Sequence, residues 1–220
     1  MQIPVVRDIL EQNDQVAEEL KSLFAEKNIL VLNLMSSPGA GKTTLLEHTL
    51  HALKEEFGIG VIEGDLQTSN DAERVAATGA QTIQINTDGG CHLSSNMVKK
   101  AVEQLDLDRL DILFIENVGN LVCPAEFNLG EDLKVTLLSV TEGDDKPEKY
   151  PYMFALSKVV LLNKVDLLPY VDFSLERAEH FARAVNKETQ VFSLSCREGD
   201  GLDEWYEWLR GAAKDKRTHS

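Results

Sequence analysis

The sequence lacks any apolar run long enough to cross a lipid bilayer, and it lacks the hydrophobic core of a signal peptide. A membrane-spanning helix needs roughly 18 or more apolar residues in succession. The first residues, MQIPVVRDILEQND, already include charged side chains within the first turns. We therefore expect a cytoplasmic protein that is neither membrane-bound nor exported.

Positive charge is also scarce. The chain has 22 Lys and Arg residues against 37 Asp and Glu residues, which gives a formal net charge of -15. A nucleic-acid-binding protein normally needs a basic face that neutralises phosphates. We therefore expect no nucleic acid partner.

Cysteine is rare as well. The three cysteines, Cys91, Cys123 and Cys196, are odd in number and do not form a disulfide framework. A reducing compartment, where thiols stay free, is the simplest setting for such a chain.

The chain does contain a regular alternation of short apolar runs and amphipathic stretches. With 220 residues, 43% hydrophobic and 27% charged, it suits one globular domain. Strand candidates lie at 29–35, 60–63, 81–85, 111–116, 135–140, 159–163 and 190–193. Helical stretches separate most of them, at 71–78, 94–105, 151–156, 175–186 and 201–212 and from the first glycine-rich turn to about 57. This alternation predicts an α/β fold, a three-layer sandwich with a mainly parallel central sheet and helices on both faces.

Three segments are expected along the chain. An amphipathic helix within 1–28 packs on the domain, the main domain covers 29–212, and residues 213–220 form a flexible tail.

A phosphate-binding motif joins the first strand to the helix that follows it. The segment SSPGAGKT at 36–43 matches a P-loop, except that Ser36 stands where the motif has its first glycine. Gly39 and Gly41 let the backbone curl around phosphates, and the loop amides supply donors. Lys42 is expected to reach the β- and γ-phosphates and the Thr43 hydroxyl to bind Mg²⁺. The remaining residues expected to touch the nucleotide here are Ala40 and Thr44.

A second motif indicates which base is bound. The segment NKVD at 163–166 ends a late strand, where such folds bind ligands. The Asp166 carboxylate can accept hydrogen bonds from the N1–H and amino group of guanine, a pattern that adenine does not offer. Asn163 would brace the loop, and the Lys164 stem would cover the base. Ser195 and Cys196 follow the last strand, in the place of a loop that also touches guanine. The nucleotide is therefore expected to be GTP or GDP.

Two acidic residues at strand ends are candidates for the magnesium site. Glu116 opens ENVG (116–119), which is similar to the DxxG element with Glu in place of Asp, and Asp65 ends the strand VIEGD. A carboxylate there can hold Mg²⁺ through water, and Gly119 can donate its amide to the γ-phosphate. Either acid could instead be an ordinary strand-end turn residue.

Softer metal ligands follow two other strand ends. Cys91 and His92 come after one strand, and Cys123 lies shortly beyond Glu116. Thiolate and imidazole are preferred by Ni²⁺ and Zn²⁺. An isolated cysteine is most often a small core residue, and the same alternative holds for a lone histidine. Three ligands are too few for a closed tetrahedral site, so an exchangeable metal fits better than a structural one.

Taken together, several segments resemble HypB, the nickel-inserting GTPase family of [NiFe]-hydrogenase maturation. They are SSPGAGKTTLL (36–46), EGDLQTSNDAERV (63–75), GGCHLSSNMV (89–98), ENVGNLVCPAEFNLGE (116–131), TEGDDKPEKYP (141–151) and NKVDLLPYVDF (163–173). The resemblance implies a SIMIBI-type P-loop GTPase whose dimerisation and metal handling depend on nucleotide. It also implies that Cys91, His92 and Cys123 form the nickel or zinc site. The implied partners are a HypA-type nickel metallochaperone, the [NiFe]-hydrogenase large-subunit precursor and a second copy of the chain in a GTP-dependent homodimer.

Two departures from the family refine this expectation. The chain shows neither the histidine-rich stretch nor the N-terminal cysteine motif of many members, so transient nickel transfer is expected rather than storage. Residue 37 is serine, where one SIMIBI branch has a signature lysine, so activation by that lysine is not expected.

The expected turnover is slow, because no glutamine for the attacking water and no arginine finger are evident by motif. GTP would order the loop after Glu116, and Cys123 lies on that loop, so nucleotide state could make or open the metal site.

The alternatives are a related GTPase serving urease or a cobalamin-dependent enzyme, an adenine-nucleotide ATPase, and a non-catalytic scaffold that keeps the fold. Of these, Asp166 argues against adenine, and the intact P-loop argues against a scaffold.

Overall fold

In the computed structural model, seven parallel strands form one central sheet. The structure describes residues 5–65 and 70–218, with side chains from 10 to 64 and from 71 to 218. The strands are β1 (Leu30–Ser36), β2 (Ile59–Asp65), β3 (Gln81–Asn86), β4 (Ile112–Glu116), β5 (Leu133–Ser139), β6 (Ser157–Asn163) and β7 (Gln190–Leu194). Their order across the sheet is β3-β2-β4-β1-β5-β6-β7, and each neighbouring pair is parallel. The predicted α/β sandwich is confirmed.

The helices lie on both faces of this sheet. They are α1 (Val5–Glu26), α2 (Lys42–Leu53), α3 (Asn70–Ala76), α4 (Ser95–Val102), α5 (Cys123–Glu126), α6 (Lys146–Lys149), α7 (Pro151–Leu156), α8 (Leu175–Val185) and α9 (Leu202–Thr218). The four-residue helices α5 and α6 were not predicted, because each is too short to show a helical period.

The core consists of apolar strand side chains packed between these helices. Strands β1 and β4 are buried along their whole length, as expected of strands covered on both faces. One core cluster packs α2 and α9 against the sheet, with Trp205 as its largest buried side chain. The opposite face packs α1 and α4 through Leu20, Phe24 and Val98. Each buried Leu or Phe contributes about 1.5–3 kcal/mol, so this packing holds the strand ends in fixed positions.

The C-terminus corrects one expectation. A flexible tail was expected from residue 213, but α9 continues to Thr218. The reason is tertiary contact, since Ala213 is buried in the core. Lys216 lies 2.5 Å from Asp132, and Arg217 lies 2.5 Å from Asp111. These contacts extend the helix beyond the end that its apolar pattern indicated.

In the part of the chain that the structure describes, no helix is both long and apolar enough to traverse a bilayer.

Because all seven strands are parallel, their carboxyl ends meet at one edge of the sheet. In open α/β sheets this edge carries the ligand site.

Candidate functional site: a nucleotide cleft beside a thiol–imidazole cluster

The loop between β1 and α2 has the geometry of a P-loop. Gly39 and Gly41 adopt positive φ angles of 75° and 106°. A Cβ atom on Gly41 would lie 2.5 Å from the Asn163 side-chain nitrogen, so Gly41 is required both by its backbone conformation and by this close approach. The Asn163 amide nitrogen donates to the Ala40 carbonyl at 2.8 Å. The predicted bracing of this loop by Asn163 is therefore present, across 123 positions of sequence.

Lys42 begins α2 and is buried beneath this loop. Its Nζ donates to Ser36 Oγ at 2.9 Å. Burial lowers the pKa of Lys42, and the nearby carboxylate of Glu116 partly opposes that shift. The serine that replaces the first glycine of the motif thus gives the ammonium group a hydrogen-bond partner.

Glu116 lies at the end of β4, next to Thr43. The Thr43 hydroxyl donates to Glu116 Oε1 at 2.9 Å. Among the described residues, the other oxygen, Oε2, is buried without a hydrogen-bond partner. Burial raises the pKa of Glu116 to about 7, although Lys42 and the Thr43 hydroxyl act in the opposite direction. An orphaned carboxylate oxygen beside a hydroxyl is the hard-oxygen donor set that Mg²⁺ prefers, so these residues fit that ion. Asp65 ends β2, but its side chain lies outside the described residues, and its magnesium role stays a prediction.

The phosphate side of the cleft is a cavity of about 390 Å³ above the P-loop. It is lined by Gly39, Gly41, Lys42, Thr43, Thr44, Glu116 and Gly119, among others. A Cβ atom on Gly119 would lie 2.8 Å from the Pro38 backbone, so glycine is needed where the β4 loop crosses the P-loop. The structure thus brings together the phosphate and magnesium candidates whose side chains it describes.

The base side is an adjoining cavity of about 430 Å³. It shares Gly41, Thr44 and Lys164 with the phosphate side and adds Asn163, Asp166 and Cys196. Lys164 adopts a left-handed conformation with φ 65°, and its Nζ donates to the Gly39 carbonyl at 2.7 Å. The two cavities together form one cleft along the carboxyl edge of the sheet.

Two partners fix Asp166 and the loop after β7. The buried Ser195 hydroxyl donates to Asp166 Oδ1 at 2.6 Å, which orients the carboxylate. The Cys196 N–H donates to Asn163 Oδ1 at 3.2 Å. Burial raises the pKa of Cys196 to about 12, so this thiol is protonated and unreactive at neutral pH.

Sequence reasoning missed two side chains around the cleft. Arg74 on α3 lines the phosphate cavity, where its guanidinium donates to Thr44 Oγ1 at 3.3 Å and pairs with Glu47 and Asp71. Glu142 accepts hydrogen bonds from the Ser37 hydroxyl and from the Ser139 N–H. Neither position belongs to the P-loop, NKVD or ENVG motif, although both lie in segments that carry the family resemblance, at 63–75 and 141–151. The spacing of three residues between Asp71 and Arg74 on a predicted helix was a further hint of their pairing.

Cys91, His92 and Cys123 meet beside this cleft. Their ligand atoms all lie within 4.8 Å of one another, and they form the one such group of potential metal ligands among the described residues. Two ligands of one metal lie at most about 4.6 Å apart when each metal–sulfur bond is about 2.3 Å. The ligand atoms are therefore at most slightly farther apart than a shared metal ion allows. The ring of His92 stacks on the ring of Phe127, with ring centroids 3.7 Å apart.

Local contacts set the protonation of these ligands. Burial lowers the pKa of His92, so its imidazole is neutral at pH 7. A hydrogen bond with Cys91, together with burial, raises the pKa of Cys123. A metal that binds here must displace the proton of the Cys123 thiol, whereas the neutral imidazole of His92 is already in its binding form.

Comparison with known proteins places this geometry in a family. Residues 30–193 match the model of the CobW/HypB/UreG nucleotide-binding domain. The chain is 55% identical to a hydrogenase maturation factor HypB from Escherichia coli (strain K12) over 202 residues, which cover 92% of this chain and 70% of that protein.

Two solved structures are similar throughout. A crystal structure of HypB from Helicobacter pylori in complex with nickel superposes with a TM-score of 0.88 at 39% identity, covering 95% of this chain and 99% of the other. The hydrogenase maturation factor HypB from Archaeoglobus fulgidus gives a TM-score of 0.87 at 36% identity, covering 93% and 100%. These similarities favour the hydrogenase group over the urease and cobalamin alternatives. The chain therefore belongs to the HypB hydrogenase maturation factors, which are P-loop GTPases of the CobW/HypB/UreG family.

Proposed function

We propose that this protein hydrolyses GTP and uses its nucleotide state to bind and release nickel destined for the large subunit of [NiFe]-hydrogenase. One observation carries the proposal: a single segment, from the end of β4 to the start of α5, lines the phosphate cavity at Glu116 and Gly119 and then supplies Cys123 to the thiol–imidazole cluster. A change at the γ-phosphate is thereby transmitted along the chain to a metal ligand.

In this proposal Lys42 and the P-loop amides bind the β- and γ-phosphates and stabilise the charge that develops in the transition state. Thr43, Glu116 and Asp65 would hold Mg²⁺, which would neutralise phosphate charge when bound. Arg74 adds a second cation at the cavity wall. We propose slow intrinsic turnover, as expected from the sequence motifs.

Guanine binds on the base side. Asp166, oriented by Ser195, accepts from the base, while Lys164 lies over the cleft between base and phosphate. The burial of Cys196 supports a packing role for its thiol, with its backbone N–H holding the loop to Asn163.

Cys91, His92 and Cys123 bind nickel, or zinc in its place, and this metal is passed on to another protein. Three ligands leave at least one coordination position for water, a partner or a second copy of the chain. We propose a GTP-dependent homodimer as the form that closes this site. The proposed nickel donor is a HypA-type metallochaperone, and the proposed recipient is the hydrogenase large-subunit precursor.

The test is a Ni²⁺ titration of protein loaded with GDP or with a non-hydrolysable GTP analogue. The thiolate-to-nickel charge-transfer absorption and the oligomeric state are recorded together. We expect an absorption that differs between nucleotides and is lost in Cys91→Ala and in Cys123→Ala. Cys196→Ala removes a thiol outside the cluster and should keep the absorption.

Lys42→Ala tests the nucleotide side of the proposal. Because this variant loses the ammonium group that contacts the γ-phosphate, its Ni²⁺ affinity should no longer respond to the GTP analogue. Tight GTP binding by the wild type without a thiolate–nickel absorption in either state would remove the metal function and leave a GTPase.

A further inference from the structure

A buried amide lies between the nucleotide cleft and the metal cluster. Asn117 directly follows Glu116, lines the phosphate cavity and is almost wholly buried. Its Oδ1 accepts from the Leu93 N–H at 3.1 Å and from the Val118 N–H at 2.9 Å. Leu93 is the residue after His92, so this bond holds the segment that carries Cys91 and His92.

The nitrogen of the same amide starts a path to the other half of the cluster. Asn117 Nδ2 donates to Asn33 Oδ1 at 3.2 Å, and Asn33 Nδ2 donates to Glu131 Oε1 at 3.2 Å. All three side chains are buried, so each bond is costly to leave unmade.

Glu131 then connects to the helix that begins with Cys123. Its Oε1 lies 3.2 Å from Lys134 Nζ. The same ammonium group donates to the carbonyls of Ala125 and Phe127, both at 3.1 Å. These carbonyls lie in and just after α5, whose first residue is Cys123.

Both segments of the metal cluster are therefore tied to one side chain at the phosphate cavity. We propose that Asn117 is the positioning residue that couples nucleotide state to the metal site, through Leu93 on one side and through Asn33, Glu131 and Lys134 on the other. This inference rests on the proposed function and names the connection that regulates it. In this proposal the movement begins two residues on, at Gly119, which packs so closely against Pro38 that a Cβ atom would not fit. A γ-phosphate bound by the Gly119 amide would shift this segment and the Asn117 side chain with it.

The test compares Ni²⁺ dissociation constants in saturating GDP and in a saturating GTP analogue, with two variants of the network. Asn117→Asp keeps the oxygen that accepts from Leu93 and Val118 but removes the donor to Asn33. Lys134→Met leaves Asn117 intact and releases the two carbonyls near Cys123. The readout is the ratio of the two constants, which a general loss of stability does not change.

Asn13→Ala is the matched control. Asn13 is also a buried amide that ties the same two segments, since Nδ2 donates to the Asn128 carbonyl at 2.8 Å and Oδ1 accepts from the Ser95 N–H at 2.8 Å. It reaches them from helix α1 rather than from the nucleotide cleft.

We expect wild type and Asn13→Ala to show a ratio of about fivefold or more, the lower end of typical coupling. Asn117→Asp and Lys134→Met should each reduce it to within about twofold of one. If Asn117→Asp does not fold, Lys134→Met carries the same test. A wild-type ratio in either network variant, or an equal loss of the ratio in Asn13→Ala, would overturn the inference. A ratio of one in the wild type would instead overturn the nucleotide gating in the proposed function.

Discussion

At the residue scale, we propose that the carboxylate of Asp166 selects guanine. Ser195 holds one of its oxygens at 2.6 Å and thereby fixes its direction in the base-side cavity. Replacing the carboxylate by an amide removes charged acceptors for the guanine N1–H and amino group, which are worth about 1.5–3 kcal/mol. Asp166→Asn should therefore weaken GDP binding about 10- to 100-fold, measured by equilibrium titration with a fluorescent GDP analogue.

Asp172→Asn is the control for this substitution, because Asp172 is exposed on the segment just beyond the motif. It should bind GDP as the wild type does. Equal affinities in both variants would contradict the assignment of guanine contact to Asp166.

The pH dependence of metal binding also belongs to this scale. Cys123 has a raised pKa because of its hydrogen bond with Cys91 and its burial, so metal binding at neutral pH releases a thiol proton. His92 has a lowered pKa because of its burial, so at a given pH less of its imidazole is protonated than in a free histidine. Acidification from pH 8 to pH 6 should therefore weaken Ni²⁺ binding, because protons compete with the metal for the Cys123 sulfur.

Isothermal titration in several buffers of different ionisation enthalpy measures the protons released. Cys123→Ala should release fewer protons than the wild type. Ni²⁺ affinity that is constant between pH 8 and pH 6 would exclude thiolate ligation.

At the element scale, α9 is joined to α2 by one buried hydrogen bond. Trp205 Nε1 donates to Thr49 Oγ1 at 3.0 Å within the core. Thr49→Val keeps the side-chain shape but leaves the indole N–H buried without this acceptor, which costs about 1–3 kcal/mol. The free energy of unfolding, measured by urea denaturation, should fall by that amount.

Ser22→Ala removes an exposed hydroxyl that only bonds its own helix, at Glu18 O. This control should change the free energy of unfolding by less than about 0.5 kcal/mol. Stability of Thr49→Val equal to that of the control would contradict the contribution of the Trp205 hydrogen bond.

The elements themselves were largely predictable from the sequence, because buried parallel strands are continuous apolar runs, such as β1 and β4. The order of the strands was not predicted, since apolar runs look alike whichever neighbour they pair with. Helix α5 was missed for another reason. Its four residues are held by tertiary contacts, including the ammonium group of Lys134, rather than by their own periodicity.

At the scale of the whole molecule, the sequence motifs predicted which residues lie together at the carboxyl edge of the sheet. The P-loop, NKVD and ENVG segments line one cleft, and the two cysteines and the histidine meet beside it. The network between the sites was not foreseen. Its hydrogen bonds join Asn117 to Asn33 across 84 positions and Asn33 to Glu131 across 98. No local pattern marks such pairs, because each amide alone looks like an ordinary polar residue.

The central claim is that nucleotide binding changes the affinity for Ni²⁺ and that Ni²⁺ binding changes the affinity for nucleotide. Thermodynamic linkage between the two binding equilibria tests this claim directly. The measurement determines Ni²⁺ affinity with GDP and with a GTP analogue, and then the relative affinity of the two nucleotides with and without Ni²⁺. We predict the same factor from both directions, of about fivefold or more, because coupling between two binding equilibria is reciprocal. A factor of one from both directions would contradict the account and leave two independent sites on one fold.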